Sequence, residues 1–216
     1  MKKQLFDREK HVYKCDEFLE LVLNAIRFFN GTPVHGLPLV DKFNGTGIYA
    51  IYYTGKIKPY EKYGVLNRSE YNHPIYVGKA VPKGWRKSRI SDNTQKQGTE
   101  LCSRLRQHTC NIKACGFDLK DFAVRFVIFE NDSSDMISAV EAALIKLKLP
   151  LWNVVIDGFG NHTPGKGRFE QAKSDWDVIH PGRDWANKCN GQHNEASAIL
   201  DRIKYYFSKT KAIEGN

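Results

Sequence analysis

At 216 residues the chain is long enough to bury one substantial core and too short for several independent domains. Lys and Arg number 33 against 24 Asp and Glu, so the formal charge of +9 points to a polyanionic partner, nucleic acid before an acidic membrane surface. No segment carries the roughly 18 uninterrupted apolar residues of a membrane span, the start Met1–Lys10 is polar, and the five cysteines include no CxxC pair, which together predict a soluble cytoplasmic protein with free thiols.

From Asp16 to Phe29 the apolar residues Phe18, Leu19, Val22, Leu23, Ile26 and Phe29 recur at steps of three and four, which predicts an amphipathic helix stopped by Asn30-Gly31-Thr32-Pro33. Gly47–Thr54, rich in Ile and Tyr between Gly45 and Gly55, reads as a strand, and Pro74–Gly78 as a shorter one. Between them Gly55–His73 is polar, bears tyrosines and has no period, so it reads as an inserted loop or small subdomain of the kind that often carries recognition. Val81–Gly98 mixes Gly, Pro and basic residues and reads as an exposed loop beside whatever the protein binds. Thr99–Ile112 follows as a helix. Phe122–Phe129 is nearly all apolar, as a buried central strand is, and Ser134–Lys148 reads as a helix capped by Ser133 or Ser134 and stopped by Pro150. A Gly-rich, aromatic stretch from Trp152 to His193 leads into a last helix, Glu195–Ser208.

One series of residues stands out on these elements. Gly47-Ile48-Tyr49 lies on the first strand and Tyr76-Val77-Gly78 on the second; Lys79 follows directly, Arg104 and His108 sit four apart on a helix, Glu141 is on the helix after the third strand, and Asn153 lies just beyond. In this order, over residues 45–155, the chain resembles the GIY-YIG nuclease superfamily. The segments DGFGNHTPGKGR and KSDWDVIHPGR resemble more narrowly a branch of type II restriction endonucleases whose members cut the palindrome CCGCGG. Val77 stands where the superfamily usually has Ile, and the motif tyrosines are 27 positions apart, wider than its usual hairpin, the extra length being Gly55–His73.

The resemblance implies an α/β (α+β) fold with a small central three-stranded antiparallel sheet flanked by helices, a catalytic core over 45–155, and elaborations at 1–44 and 156–216 for DNA binding or subunit contacts, all in a single nuclease domain. It implies hydrolysis of phosphodiester bonds in double-stranded DNA at a short palindrome, leaving 5′-phosphate and 3′-hydroxyl ends. The partners it implies are a second copy of the chain, as dimer or tetramer, and a DNA methyltransferase protecting the host. A repair or homing nuclease of the same superfamily and a non-catalytic DNA-binding module are the alternatives. No separate targeting module is visible, and the series of site residues is intact.

Phosphodiester hydrolysis needs an activated water, neutralisation of charge on the phosphoryl oxygens and stabilisation of the leaving oxygen. By the resemblance, Glu141 is the carboxylate holding one divalent cation, Mg²⁺ or Mn²⁺ in its place. Mg²⁺ accepts few protein ligands and keeps several waters. Tyr49 takes a proton from the attacking water, for which its pKa is expected to be lowered by neighbouring cations, Lys79 and His108 being the candidates. Arg104 and His108, on one helix face, are expected to converge on one phosphate. Tyr76 positions the water or bonds Tyr49, and Asn153 orients the site or contacts the DNA backbone. Whether Tyr49 or His108 is the general base stays open at this point.

Three other patterns compete. Gly160–Lys166 has phosphate-loop spacing, but Gly167 stands where a hydroxyl residue is required, so it reads as a flexible Gly-rich loop, near DNA if functional. Asp118-Leu119-Lys120 has the acid-x-lysine form of another nuclease core but lacks an upstream acidic partner. Cys110, Cys115, Cys189 and His193 match no common zinc spacing.

Lys83, Arg86, Lys87 and Arg89 cluster just after the second motif and are expected to contact DNA phosphates. Neutralising two of them should flatten the slope of log affinity against log salt by about 1.8 units. An unchanged slope with lower affinity would assign the loop to folding or subunit contact.

Overall fold

Every residue of the strand that carries the first motif, β2 (Thr46–Tyr53), is buried, because both faces of its sheet are covered. The computed structural model describes residues 6–82, 84, 98–165 and 167–210. Its sheet is antiparallel throughout and runs β1-β4-β2-β3, where β1 is Val34–Gly36, β3 is Tyr76–Ala80 and β4 is Phe122–Phe129. The three expected strands are β2, β3 and β4; β1 is a fourth, pairing Val34 with Arg125 and Gly36 with Ala123. Three residues including a glycine show no alternation, so nothing in the pattern announced it. With β1 outside it, β4 is central, as its apolar composition predicts.

Alternation along β2 separates two layers of core. Ile48, Ala50 and Tyr52 face helices α1 (Asp16–Gly31) and α4 (Ile137–Lys148), meeting Val22, Ile26, Phe29, Val140 and Leu144. Tyr49, Ile51 and Tyr53 face helix α3 (Glu100–Ala114), which buries Leu101, Leu105, His108 and Ile112 at helical spacing. The same layer takes in α5 (Leu151–Val154), α6 (Asp175–Ile179) and α7 (Ala196–Lys209) through Trp152, Trp176, Ile199 and Ile203. Of the apolar residues on α1, only Val22, Ile26 and Phe29 reach the core; Phe18, Leu19 and Phe28 are at least half exposed, at 50%, 58% and 66%. Ahead of α4, Asn131–Met136 winds as a 3₁₀ turn, so the α-helix starts later than the sequence suggests.

The insertion Gly55–His73 is not a free loop. It contains helix α2 (Glu61–Leu66), and Tyr60 and Tyr63 are buried in the α3-side core. The fully buried Asn67 closes it, donating from Nδ2 to the carbonyls of Tyr53 (3.0 Å) and His73 (2.9 Å) and accepting from the His73 amide (3.1 Å). Tyr60 and Tyr63 therefore serve packing. Among the described residues, no helix is long and apolar enough to cross a membrane.

Candidate active site

Pairing of β2 with β3 sets Tyr49 directly opposite Gly78. The Tyr49 ring lies over that glycine so closely that a Cβ there would collide with the phenol, while a Cβ on Gly47 would collide with the Val127 carbonyl of β4. Both motif glycines are thus required by close approach rather than by backbone conformation. Tyr76, two residues before Gly78, points to the same face, with its ring centroid 6.2 Å from that of Tyr49.

Onto this face α3 lowers His108, fully buried, with Nε2 2.6 Å from the Tyr49 hydroxyl. Burial pushes the Tyr49 phenol well above its ordinary value of 10, and burial, seconded by the charge of Arg104, holds His108 well below 6.5. The phenol therefore donates and a neutral imidazole accepts. The remaining ring nitrogen, Nδ1, is buried with no hydrogen-bond partner among the described residues. Tyr76 is also raised, again chiefly by burial, with Arg104 opposing and Glu141 reinforcing the shift. The sequence expectation that cations lower the Tyr49 pKa is thereby reversed: Arg104 does pull it down, but desolvation wins.

Arg104, one turn before His108, is half-buried and extends over the phenols. It donates from one terminal nitrogen to Gln107 Oε1 (2.6 Å) and His162 Nε2 (3.0 Å), and from the other to the carbonyl of Gly160. His108 cannot meet a phosphate beside it, being wholly enclosed, so the expected convergence of the two on one phosphate is not what the fold builds. Phe159 stacks on His108 at 4.4 Å and 18° and meets the Tyr76 ring edge-on at 4.8 Å.

Lys79 belongs to the other face of β3, where its Nζ pairs with Glu141 Oε2 at 2.7 Å. It is a partner for Glu141, not a cation beside Tyr49. From α4, Glu141 still acts electrostatically on both Tyr49 and Tyr76, since β3 is the sheet's edge. Asn153 grips Val77 at both backbone groups, accepting from its amide and donating to its carbonyl, each at 2.8 Å. That grip substitutes for the neighbouring strand that an edge lacks and fixes the second motif. Lys83, Arg86, Lys87 and Arg89 lie outside the described residues, as does Lys166 of the Gly-rich loop.

Sequence reasoning singles out neither Gln107 nor Phe159, and takes Gly160 and His162 only as part of a Gly-rich loop. Only the glycine richness of DGFGNHTPGKGR hinted that this segment lies close to something.

A family model described as the Eco29kI GIY-YIG domain matches residues 41–207, well over half of the chain. The chain belongs to that family. No curated protein matches it. The Eco29kI GIY-YIG family is one of type II restriction endonucleases, which makes this a nuclease domain acting on DNA and sets it apart from the repair and homing alternatives. Its match runs on through α6 and most of α7, beyond the segment 45–155 that holds the candidate catalytic residues. The zinc pattern finds no support in this member of the family. No group of three or more His, Cys, Asp or Glu suited to a metal occurs among the described residues, and Cys115 spends its thiol on the His180 carbonyl at 3.1 Å.

The buried histidines give the fold a pH limit. His108 is held well below 6.5 and His180 is pushed down to about 4 by burial, so as pH falls below 6.5 the unfolded chain takes up protons that the native state refuses. Their contribution is present above the unfolded value and is lost as pH falls towards the folded one, with a slope of at most about 1.4 kcal/mol per pH unit for each group. Melting temperature followed from pH 7.5 to pH 4.5 should decline, and less steeply in His180→Gln; equal slopes would remove His180 from this account.

Proposed function

We propose that the chain is a type II restriction endonuclease that cuts double-stranded DNA at a short palindrome, such as CCGCGG, with one divalent cation, Mg²⁺ or Mn²⁺ in its place, leaving 5′-phosphate and 3′-hydroxyl ends. The observation that carries this reading is the assembly of Tyr49, Tyr76, Arg104 and His108 on one face, with Glu141 acting on both phenols across the edge strand. Glu141 fits the cation: it is a single, largely buried carboxylate, 18% exposed, whose present partner is one ammonium group. A lone carboxylate suits a hard ion that keeps its waters and excludes a tetrahedral zinc centre. When bound there, the cation supplies charge neutralisation at the leaving 3′ oxygen.

The protein's own groups supply the rest. Arg104, charged at any working pH, binds a non-bridging phosphoryl oxygen as the scissile bond breaks. Tyr76 orients the attacking water through its hydroxyl. As the water's oxygen bonds to phosphorus, its proton passes to the Tyr49 oxygen while the Tyr49 proton passes to His108 Nε2. The phenol is then never a free phenolate; the imidazolium formed in its place is penalised by the same burial, and the negative charge that the substrate brings offsets that cost. In this scheme Tyr49 and His108 are one base, and the choice between them dissolves. Asn153 and Lys79 serve as positioning residues for β3 and Glu141. Lys83, Arg86, Lys87 and Arg89 are the proposed contacts to flanking phosphates.

Glu141→Gln should lower cleavage by about 10³-fold, corresponding to about 4 kcal/mol of transition-state stabilisation. DNA affinity should survive, because the basic surface remains. Cutting at near wild-type rate by this variant in Mg²⁺ would remove Glu141 as the cation's ligand.

A palindrome presents its two scissile phosphates about a two-fold axis, and a C2 dimer places one such site on each strand. We propose at least a homodimer on DNA, with a methyltransferase of matching specificity protecting the host. The exposed apolar side chains Phe18, Leu19 and Phe28 make α1 the proposed contact, since large apolar groups left in solvent are a usual mark of an interface. Light scattering on the DNA complex should give two or more subunits; one subunit per duplex would refute the assembly.

A further inference from the structure

We propose that Arg183 is a positioning residue for cleavage: paired with Asp177, it fixes residues 158–162, and that segment in turn holds Arg104, Tyr76 and His108 where they act. The inference rests on the site assignment above.

Arg183 is 4% exposed, and its guanidinium has no free donor. Nε donates to Asp177 Oδ1 at 2.6 Å; one terminal nitrogen donates to Asp177 Oδ2 (2.6 Å) and the Gly158 carbonyl (2.9 Å), and the other to the carbonyls of Phe159 and Asn161, both at 3.3 Å. That accounts for all five N–H groups of an arginine. Its faces are occupied too, by the rings of Trp176 (4.8 Å) and Trp185 (4.7 Å). A side chain committed so fully has nothing left for DNA. It gathers three carbonyls from one short stretch of chain.

The opposite side of that stretch touches the site. Phe159 stacks on His108, the Gly160 carbonyl accepts from Arg104, and His162 accepts from Arg104 with its other ring nitrogen 3.2 Å from Gln107 Nε2. The fit has no slack, since a Cβ on Gly160 would collide with the Tyr76 hydroxyl and one on Gly158 with Ser174. Arg183 also adds its charge to the burial, Arg104 and His162 that keep His108 neutral. Lysine could keep that charge but not the planar fork that reaches Asp177 and three carbonyls together.

Single-turnover cleavage of phage DNA in Mg²⁺ by Arg183→Lys, Gly160→Ala, Arg104→Ala and the double variants of Arg104→Ala with each of the first two tests the proposal, with metal-free DNA binding and thermal unfolding measured on each. Arg183→Lys and Gly160→Ala should bind DNA within about 2-fold of wild type yet cut at least about 10-fold more slowly, and either change added to Arg104→Ala should cost less than about 3-fold more. Losses that simply multiply with that of Arg104→Ala, or wild-type cutting by Gly160→Ala, would overturn it and leave the ion pair as support for the fold alone. Should Arg183→Lys fail to fold, Asp177→Asn, which weakens the pair while leaving the guanidinium's bonds to the three carbonyls, takes its place in the cycle. Near-normal cutting by Arg104→Ala is a separate failure, that of the site assignment.

Discussion

The phenol end of Tyr49 lies against Gly78, and the rest of the site is arranged around that contact. A side chain at position 78 would separate β2 from β3 or turn the phenol away. With glycine there, the two strands pair at ordinary spacing and the phenols of Tyr49 and Tyr76 emerge on one side, under α3. His108 and Arg104 reach them because they are one turn apart on that helix. The other side of the same two strands carries Lys79 and packs on α4, which brings Glu141 to the sheet's edge. Two layers therefore contribute to one site across a single edge strand, and Asn153 steadies that strand where no fifth strand could.

Electrostatically the site is built to hold little charge until a substrate brings some. Full burial can move a pKa by about 3–5 units, and here it outweighs the pull of Arg104 on both phenols. The resting pair of neutral phenol and neutral imidazole is inexpensive to bury, unlike a phenolate and an imidazolium. The fixed charge is placed at the margins instead, in Arg104 and in the Lys79–Glu141 pair, both partly open to solvent. Deeper in, the Asp177–Arg183 pair is enclosed at 2% side-chain exposure on each partner, and removing one member of such a pair typically costs about 3–5 kcal/mol. Its satisfaction by backbone carbonyls and two indole faces explains how it can persist there.

Much of this was legible in the sequence because it rests on local pattern. The period of α1, the apolar run of β4 and the order of the motif residues point to the architecture and the family. What escaped depends on contacts between distant segments. β1 is too short to alternate, and the insertion reads as a loop or small subdomain without visible anchoring because nothing local says that Asn67 folds the segment back onto Tyr53. Lys79 was assigned to Tyr49 because adjacency in sequence hides the alternation of a strand, which sends neighbours to opposite faces. Likewise His108 shares a helix face with Arg104, but spacing does not reveal how deep that face is buried. Gly160–Lys166 reads as a flexible Gly-rich loop, yet Gly160 packs tightly against Tyr76, as Gly158 just before it does against Ser174.

The central claim is that these buried phenols, one guanidinium and one carboxylate form a cation-dependent, site-specific DNA-cutting centre. Incubating the purified protein with phage DNA, with Mg²⁺ and with chelator, addresses it most directly, followed by sequencing of the ends. The account predicts discrete fragments in Mg²⁺ alone, with 5′-phosphates and one recurring palindrome at the cut. A uniform smear, or the same fragments in the presence of chelator, would contradict it.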